Sequence, residues 1–153
     1  MEFEVTSPAF SEGDAIPSRY TCDGANVSPA LRWNDPPNGT ESYVLLVEDP
    51  DAPGGTFIHW VLFNIPSQAR ELPEGVTNRG ILGRNDSGDT GYGGPCPPRN
   101  HGAHRYVFTL YALDRSTLAL DEGVAWTEVE AAMDGHVLAE TQLIGYYQRM
   151  REG

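Results

Sequence analysis

The sequence contains no lysine. Its 10 basic residues are all arginines and, with 22 acidic residues, they give a formal net charge of −12. Affinity for nucleic acids and for anionic membranes depends mainly on Lys and Arg side chains that neutralise phosphates. Because this charge repels phosphate backbones, we expect no nucleic-acid partner and no binding to an anionic membrane.

Long apolar runs are also missing. No stretch approaches the roughly 20 apolar residues that cross a bilayer, so no membrane span is expected. The first residues, Met1 to Val5, lack the positive and apolar regions of a secretory signal, and we predict a cytoplasmic protein. A chain of 153 residues, 39% of them hydrophobic, is predicted to form one domain over residues 1–153.

Sequence patterns of several reactive sites are absent. There is no Gly-x-Ser-x-Gly nucleophile elbow and no His-x-His or His-Glu-x-x-His metal spacing. Cys22 and Cys96 form no Cys-x-x-Cys pair, which excludes zinc-knuckle and thioredoxin motifs. The two cysteines pair only if the fold brings them together, and a reducing cytoplasm keeps thiols free. We therefore predict that both thiols are reduced. Because the motifs named above are absent, we also predict that the protein binds no cofactor.

The chain does contain many short runs that are typical of β-strands, separated by its 17 glycines and 12 prolines. The predicted strands span residues 3–6, 30–33, 42–48, 57–65, 106–113 and 143–148. Several of these runs are apolar on both faces, as the inner strands of a sandwich are.

One helix is predicted late in the chain. Thr127 and Glu130 match the Ser/Thr-x-x-Glu capping box. The apolar stripe of this helix consists of Val129, Ala132 and Met133. We predict a helix from about Glu128 to Met133, with an extension past Gly135 left open. The predicted fold class is mainly all-β, an antiparallel β-sandwich with one late helix packed on it.

Two loops rich in proline and glycine, residues 49–55 and 91–103, each lead a histidine onto a strand. Side chains alternate between the two faces of a strand. Strict alternation predicts one face with Phe57, His59, Val61, Phe63 and Ile65, and another with His104, Tyr106 and Phe108. Both histidines are therefore expected beside a core.

Asp49 ends the strand before the first loop, and the short connection over residues 50–56 predicts an antiparallel pair of strands. Asp49 and His59 then lie at the same end of the sheet. If the second loop lies there too, two histidines, a carboxylate and a tyrosine converge. Histidine charge is adjustable near neutral pH, and Gly-rich backbone N–H groups bind oxyanions. This arrangement predicts a phosphoryl or carboxylate anion site, with Asp49 or Asp51 holding a histidine protonated.

Two other interpretations of these histidines stay open. In the first, they are buried strand residues whose hydrogen bonds are satisfied by neighbouring groups. In the second, a His/Asp pair performs acid–base chemistry on a phosphate or acyl group, which would make the protein a hydrolase. The sequence shows neither an activated nucleophile nor a metal motif for that reaction.

Several ordered motifs extend over nearly the whole chain. They are Tyr20-Thr21-Cys22-Asp23-Gly24, Ser28-Pro29 with Leu31 and Trp33, Asp49-Pro50-Asp51-Ala52-Pro53, His59-Trp60, Gly94-Pro95-Cys96-Pro97-Pro98, His104-Arg105-Tyr106 and Gly135-His136-Val137-Leu138-Ala139-Glu140. With these motifs the sequence resembles the phosphatidylethanolamine-binding protein family, in particular its prokaryotic branch, described as Raf-kinase-inhibitor-like.

The resemblance implies a sandwich of antiparallel sheets with a small pocket for phosphoryl head groups and similar anions. Carried over by position, the pocket residues are Asp49, Pro53, His59, Gly94, Pro97, Pro98, His104 and Tyr106. Cys96 would contribute backbone, and Phe57 matches the aromatic residue that eukaryotic members place two residues before the pocket histidine.

The function implied by the resemblance is that of a soluble, non-enzymatic binding module. A small phosphoryl or carboxylate anion would occupy the pocket, and occupancy would alter recognition of a protein partner such as a kinase or a protease. The alternatives are the hydrolase described above and a protease inhibitor, because some members of the family inhibit serine proteases.

The charge of the chain has a consequence for stability. A large negative charge destabilises a compact state by self-repulsion unless salt screens it, and the Debye length falls to about 3 Å at 1 M salt. We interpret the composition as that of an acidic halophilic protein. The alternative is an acidic protein from a genome that favours arginine.

The halophilic interpretation predicts that molar KCl raises the melting temperature and sharpens unfolding relative to dilute buffer, because screening weakens repulsion among the carboxylates. Thermal unfolding followed by circular dichroism in the two buffers measures this. Equal melting temperature and cooperativity in both buffers would show the interpretation to be wrong.

Overall fold

The computed structural model describes residues 2–150 and contains two antiparallel sheets, one α-helix and a single 3-10 turn at Ser18–Tyr20. The strands are β1 (Glu4–Thr6), β2 (Leu31–Asn34), β3 (Ser42–Asp49), β4 (Phe57–Pro66), β5 (Glu71–Leu72), β6 (Ile81–Leu82), β7 (His104–Leu113) and β8 (Val137–Tyr147), and the helix is α1 (Trp126–Met133). One sheet has the order β1-β2-β5 and the other β6-β4-β3-β7-β8. The predicted mainly-β antiparallel sandwich is confirmed. Among residues 2–150, no helix combines the length and apolar character needed to cross a membrane.

The central strand β3 of the five-stranded sheet is buried on both faces. Leu45 and Val47 of β3 pack into a core shared with the three-stranded sheet, which contributes side chains such as Trp33. Val44 and Leu46 point the other way and pack against α1 and the segment before it. Removing apolar surface from water stabilises the fold by about 25 cal/mol per Å². A strand with apolar side chains on both faces is therefore stable only when a layer of structure covers each face. This confirms the expected inner strands.

Helix α1 begins earlier than predicted, and Thr127 does not cap it. Ala125 occupies the N-cap position, and no side chain caps the helix. The ring of Trp126 instead stacks on Tyr111, with the ring centroids 6.1 Å apart. The predicted capping box is therefore wrong, because packing on the sheet sets the start of this helix. Gly135 has a φ of +81°, which ends the helix in the usual way, so the open extension past this residue does not form.

The strand predictions fail where the apolar pattern is weak. The predicted run 143–148 is only the end of β8, which starts at Val137. The first half of β8 lies at the sheet edge and is mostly exposed, so its side chains carry no core periodicity. Strands β5 and β6 have two residues each and were not predicted, because two residues carry no alternation.

Strand β4 departs from strict alternation at His59. Val47 pairs with Trp60 and Glu48 with Ile58, so His59 is an extra residue in the ladder. Its ring lies 5.3 Å from that of Tyr106, centroid to centroid, beside the core between the sheets. Val61, in contrast, packs in the core under α1. The prediction that His59 and Val61 share a face is wrong, because a β-bulge shifts the alternation by one residue.

The prediction of two reduced thiols is also wrong. Cys22 and Cys96 form a disulfide with a Cα–Cα distance of 5.4 Å. The backbone already holds the two segments together, since the Cys22 N–H donates to the Pro95 carbonyl at 3.1 Å. The expectation rested on the redox state of the compartment, whereas the fold places the two sulfurs within bonding distance.

The disulfide predicts that no thiol reacts in the denatured, non-reduced protein and that two react after reduction. Because the bridge closes a loop with a sequence separation of 74, reduction should lower the free energy of unfolding by up to about 4 kcal/mol in the chain-entropy model. Urea unfolding with and without reductant measures the loss. The double variant Cys22→Ser/Cys96→Ser is the control. Its free energy of unfolding should equal that of the reduced wild type and should not change when reductant is added. Reductant-insensitive unfolding of the wild type would contradict the prediction.

Candidate functional site

A cavity of about 340 Å³ opens where β3 ends and β4 and β7 begin. All eight residues predicted for the pocket line it: Asp49, Pro53, His59, Gly94, Pro97, Pro98, His104 and Tyr106. Its other lining residues are Ala52, Phe57, Ser87 and Cys96. The antiparallel pairing predicted that Asp49 and His59 share one end of the five-stranded sheet, and the second loop, whose position the sequence left open, lies at that end too.

A buried carboxylate and a buried imidazole form the floor of the cavity. Asp49 and His104 have relative exposures of 3% and 2%. The His104 Nδ1–H donates to Asp49 Oδ2 at 2.7 Å, and the Asp51 backbone N–H donates to Asp49 Oδ1 at 2.7 Å. Each oxygen of the carboxylate thus has a partner, as a buried charge requires.

Asp51, the other carboxylate considered as a histidine partner, does not contact a histidine. It accepts two hydrogen bonds from the Arg105 guanidinium, at 3.0 and 2.9 Å, and one from the Arg105 backbone. These hydrogen bonds lower the pKa of Asp51 to about 2. The pair ties the loop after β3 to the start of β7 at the rim of the cavity.

His59 is anchored by reciprocal hydrogen bonds to the second loop. Its Nδ1–H donates to the Gly93 carbonyl at 2.7 Å, and the Gly93 N–H donates to the His59 carbonyl at 2.9 Å. Burial lowers the pKa of His59, although the nearby Gly93 carbonyl and the Asp49 carboxylate oppose the shift. The ring is therefore neutral at neutral pH, with its lone pair on Nε2.

Tyr106 has a buried hydroxyl without a partner. The residue is 1% exposed, and within residues 2–150 its oxygen makes no hydrogen bond of standard geometry, although the Asp49 carboxylate lies near enough to interact with it. Burial, then the negative charge of Asp49 and then that short-range interaction raise the pKa of this phenol, which keeps it protonated. Buried polar groups are nearly always hydrogen-bonded, so an unmet donor that lines a cavity marks a place for an acceptor from outside the chain.

Sequence reasoning missed His101. Its Nδ1 lies 2.6 Å from His104 Nε2, and the two rings meet edge to face. Because His104 Nδ1 carries the proton given to Asp49, the Nε2 of a neutral His104 ring accepts from the His101 Nδ1–H. Both nitrogens of His104 are then engaged within the protein. The only signal for this contact was the position of His101, three residues before His104 in the glycine-containing loop.

The second loop forms a rigid wall. The Gly94 N–H donates to Asn26 Oδ1 at 2.9 Å, and the Tyr92 hydroxyl donates to the Tyr20 carbonyl at 2.6 Å. The backbone N–H groups of Gly93 and Gly94 already donate hydrogen bonds, and Pro95, Pro97 and Pro98 have no N–H. Among residues 93–98, this leaves the N–H of Cys96 for a ligand. The loop therefore offers fewer N–H groups to a ligand than its glycines suggested.

The described part of the chain, residues 2–150, contains no group of three or more His, Cys, Asp or Glu side chains placed to hold a metal ion. The titratable side chains His59, His104, Tyr106 and Asp49 line the cavity.

Comparison with known proteins gives consistent matches. The sequence profile described as "Phosphatidylethanolamine-binding protein" matches residues 6–148. A UPF0098 protein of Aquifex aeolicus is 51% identical over 151 residues, which cover 95% of this chain and 88% of the relative. The crystal structure of a putative phosphatidylethanolamine-binding protein homolog from Chlamydia trachomatis has a TM-score of 0.91 and 41% identity, covering 96% of this chain and 97% of that one. E. coli YbcL, described as a member of the mammalian PEBP family, has a TM-score of 0.90 and 31% identity over 97% of this chain and 99% of its own.

The tight wall predicts that Gly94→Ala destabilises the protein. A Cβ at this position would clash with Asn26 Oδ1 and the Tyr20 carbonyl, and overpacking of this kind typically costs about 1–3 kcal/mol. Chemical unfolding measures the loss. Gly54→Ala is the matched control, because nothing lies within 4 Å of a Cβ there. Equal stability of the two variants would show that the wall yields easily.

Proposed function

The chain belongs to the phosphatidylethanolamine-binding protein family, and we propose that it is a non-enzymatic binding domain whose cavity takes a small phosphoryl or carboxylate anion. The observation that carries this proposal is the unpartnered hydroxyl of Tyr106. A buried donor left without an acceptor costs about 1–3 kcal/mol. An oxyanion in the cavity supplies that acceptor and recovers the cost.

The walls favour binding without rearrangement. Pro53, Pro97 and Pro98 line the cavity, and a proline ring has little conformational freedom to lose. The disulfide at Cys96 and the Gly94 contact hold the same wall. A preformed site loses little entropy when it is filled, so a small ligand with few contacts still binds.

The charges near the cavity are arranged so that an anion is tolerated in this acidic protein. The Asp49 carboxylate is compensated by two donors, His104 Nδ1–H and the Asp51 amide. The Asp51 carboxylate is neutralised by Arg105 at the rim. An entering anion therefore meets one carboxylate that is already hydrogen-bonded and a second that is paired with a cation.

A hydrolase is disfavoured because the cavity shows no activated nucleophile. Both ring nitrogens of His104 are occupied by Asp49 and His101, which leaves the Nε2 of His59 as the imidazole nitrogen that could act as a general base. Ser87 is a hydroxyl that lines the cavity, but no hydrogen bond joins it to either histidine. No specific contact favours a protease inhibitor.

We extend the proposal to a protein partner. The cavity is bordered by the loop after β3 and by the proline-rich wall, of which Cys96 and Pro98 are exposed. A bound anion changes the charge and shape that these loops present together, and occupancy is proposed to alter recognition by that partner.

The Tyr106→Phe variant tests the site. Loss of a hydrogen bond to a charged ligand costs about 1.5–3 kcal/mol, so we expect inorganic phosphate to bind at least about tenfold more weakly at pH 7. Isothermal titration calorimetry measures the affinity. Tyr111→Phe is the control, because Tyr111 stacks on Trp126 on the helix side of the sheet. If phosphate fails to bind the wild type, or binds all three proteins equally, the proposed site is wrong.

A further inference from the structure

The hydrogen bonds already made inside the cavity determine what is left for a ligand. His104 has both ring nitrogens engaged, one with Asp49 and one with His101. His59 has its Nδ1–H engaged with the Gly93 carbonyl. Among the lining residues, the polar groups that these hydrogen bonds leave over are the His59 Nε2 lone pair, the Tyr106 hydroxyl, the remaining lone pairs of Asp49 and the Cys96 amide. Two of these four groups, the His59 Nε2 and the Asp49 carboxylate, can only accept hydrogen bonds.

The direction of the His59 ring is fixed by the main chain. A carbonyl oxygen only accepts, so Nδ1 must carry the hydrogen in the 2.7 Å contact with Gly93. A second proton, on Nε2, would place a cation in a site that is only 7% exposed. The charged or titratable groups that act on His59 are Asp49 on β3, Asp86 after β6 and His104 on β7; the two carboxylates favour the cation, but burial outweighs them.

A ligand in this cavity therefore faces a lone pair on His59 and a carboxylate on Asp49 as well as the hydroxyl of Tyr106. A fully deprotonated oxyanion has only acceptors and is repelled by both lone-pair groups. An oxyanion that keeps one hydrogen donates it to His59 or Asp49 and accepts from Tyr106 with another oxygen.

We infer that the site selects oxyanions that carry a proton, namely hydrogen phosphate or a phosphomonoester monoanion, over fully deprotonated oxyanions such as sulfate. The inference rests on the proposed function and narrows it: of the phosphoryl and carboxylate anions proposed for this cavity, it favours phosphoryl groups that carry a proton over carboxylates, which are fully deprotonated at neutral pH. A site whose buried polar groups go unpaired with the wrong ligand discriminates strongly against it.

Sulfate has one route into the site, which requires a proton on His59 Nε2. Its affinity should therefore fall by about tenfold for each unit of pH above the midpoint of His59 titration. Burial lowers the pKa of His59 below its ordinary value, so the neutral ring, which cannot donate from Nε2, predominates at neutral pH. Phosphate brings its own proton and should show a weaker dependence.

Calorimetric titration of the wild type with inorganic phosphate and with sodium sulfate, at equal ionic strength and at pH 5.5 and 7.5, tests the inference. At pH 7.5 we expect phosphate to bind at least about a hundredfold more tightly than sulfate. At pH 5.5 the ratio should shrink at least about tenfold. Equal affinities at pH 7.5 would overturn the inference and leave the anion site standing, whereas no binding of either ion at either pH would overturn the proposed function and the inference with it.

The variant His59→Gln isolates the group responsible. A glutamine amide carries two hydrogens, so it can donate one to the Gly93 carbonyl and one to a ligand, which the neutral imidazole of His59 cannot do. The affinity for sulfate should therefore rise relative to that for phosphate at pH 7.5 and lose most of its pH dependence. His136→Gln is the matched control, since His136 pairs with Asp114 at the opposite end of β8 from His104. An unchanged ratio in His59→Gln contradicts the inference.

A spectroscopic measurement on the wild type guards against a variant that does not fold. In ¹⁵N spectra of the imidazoles, the inference predicts a neutral Nδ1–H ring for His59 both free and with phosphate at pH 7.5. Sulfate at pH 5.5 should convert the same ring to imidazolium. A His59 ring that becomes imidazolium with phosphate at pH 7.5 would overturn the proposed selectivity.

Discussion

The hydrogen bond between His104 and Asp49 is the contact on which the arrangement at this end of the sheet depends. It joins the last residue of β3 to the first residue of β7, where both side chains are buried. Removing one member of a buried ion-paired or hydrogen-bonded pair leaves the other uncompensated, at a typical cost of about 3–5 kcal/mol. Because Asp49 also accepts from the Asp51 amide, the same carboxylate fixes the first turn of the loop that forms one side of the cavity.

The second side of the cavity depends on main-chain contacts more than on side chains. Gly93 exchanges two hydrogen bonds with His59, and Gly94 lies too close to Tyr20 and Asn26 for any other residue. The loop is therefore determined by backbone geometry, which explains why it contains glycine and proline in place of functional side chains. Its role is to hold the imidazole of His59 in one tautomer.

Much of the fold and site was predictable, because long strands buried on two faces have an unmistakable pattern. The proximity of Asp49 and His59 followed from an antiparallel turn, whereas the place of His104 beside them followed from the family resemblance. What could not be predicted depends on contacts between distant segments. The bulge that turns His59 away from Val61 appears only in the pairing with β3. The disulfide of Cys22 depends on a meeting of two loops. The contact of His101 with His104 is made by a loop whose sequence alone has no periodic signal.

The disulfide also divides the chain in a way that hydrogen bonds do not. It closes a covalent ring from Cys22 to Cys96 that contains Asp49 and His59, while His104 and Tyr106 lie outside it. A single break of the backbone within the exposed loop after β3 would leave both fragments linked through the sulfur bridge. The fragment that carries Asp49 and the fragment that carries His59, His104 and Tyr106 would stay covalently joined until the bridge is reduced or the ring is cut a second time.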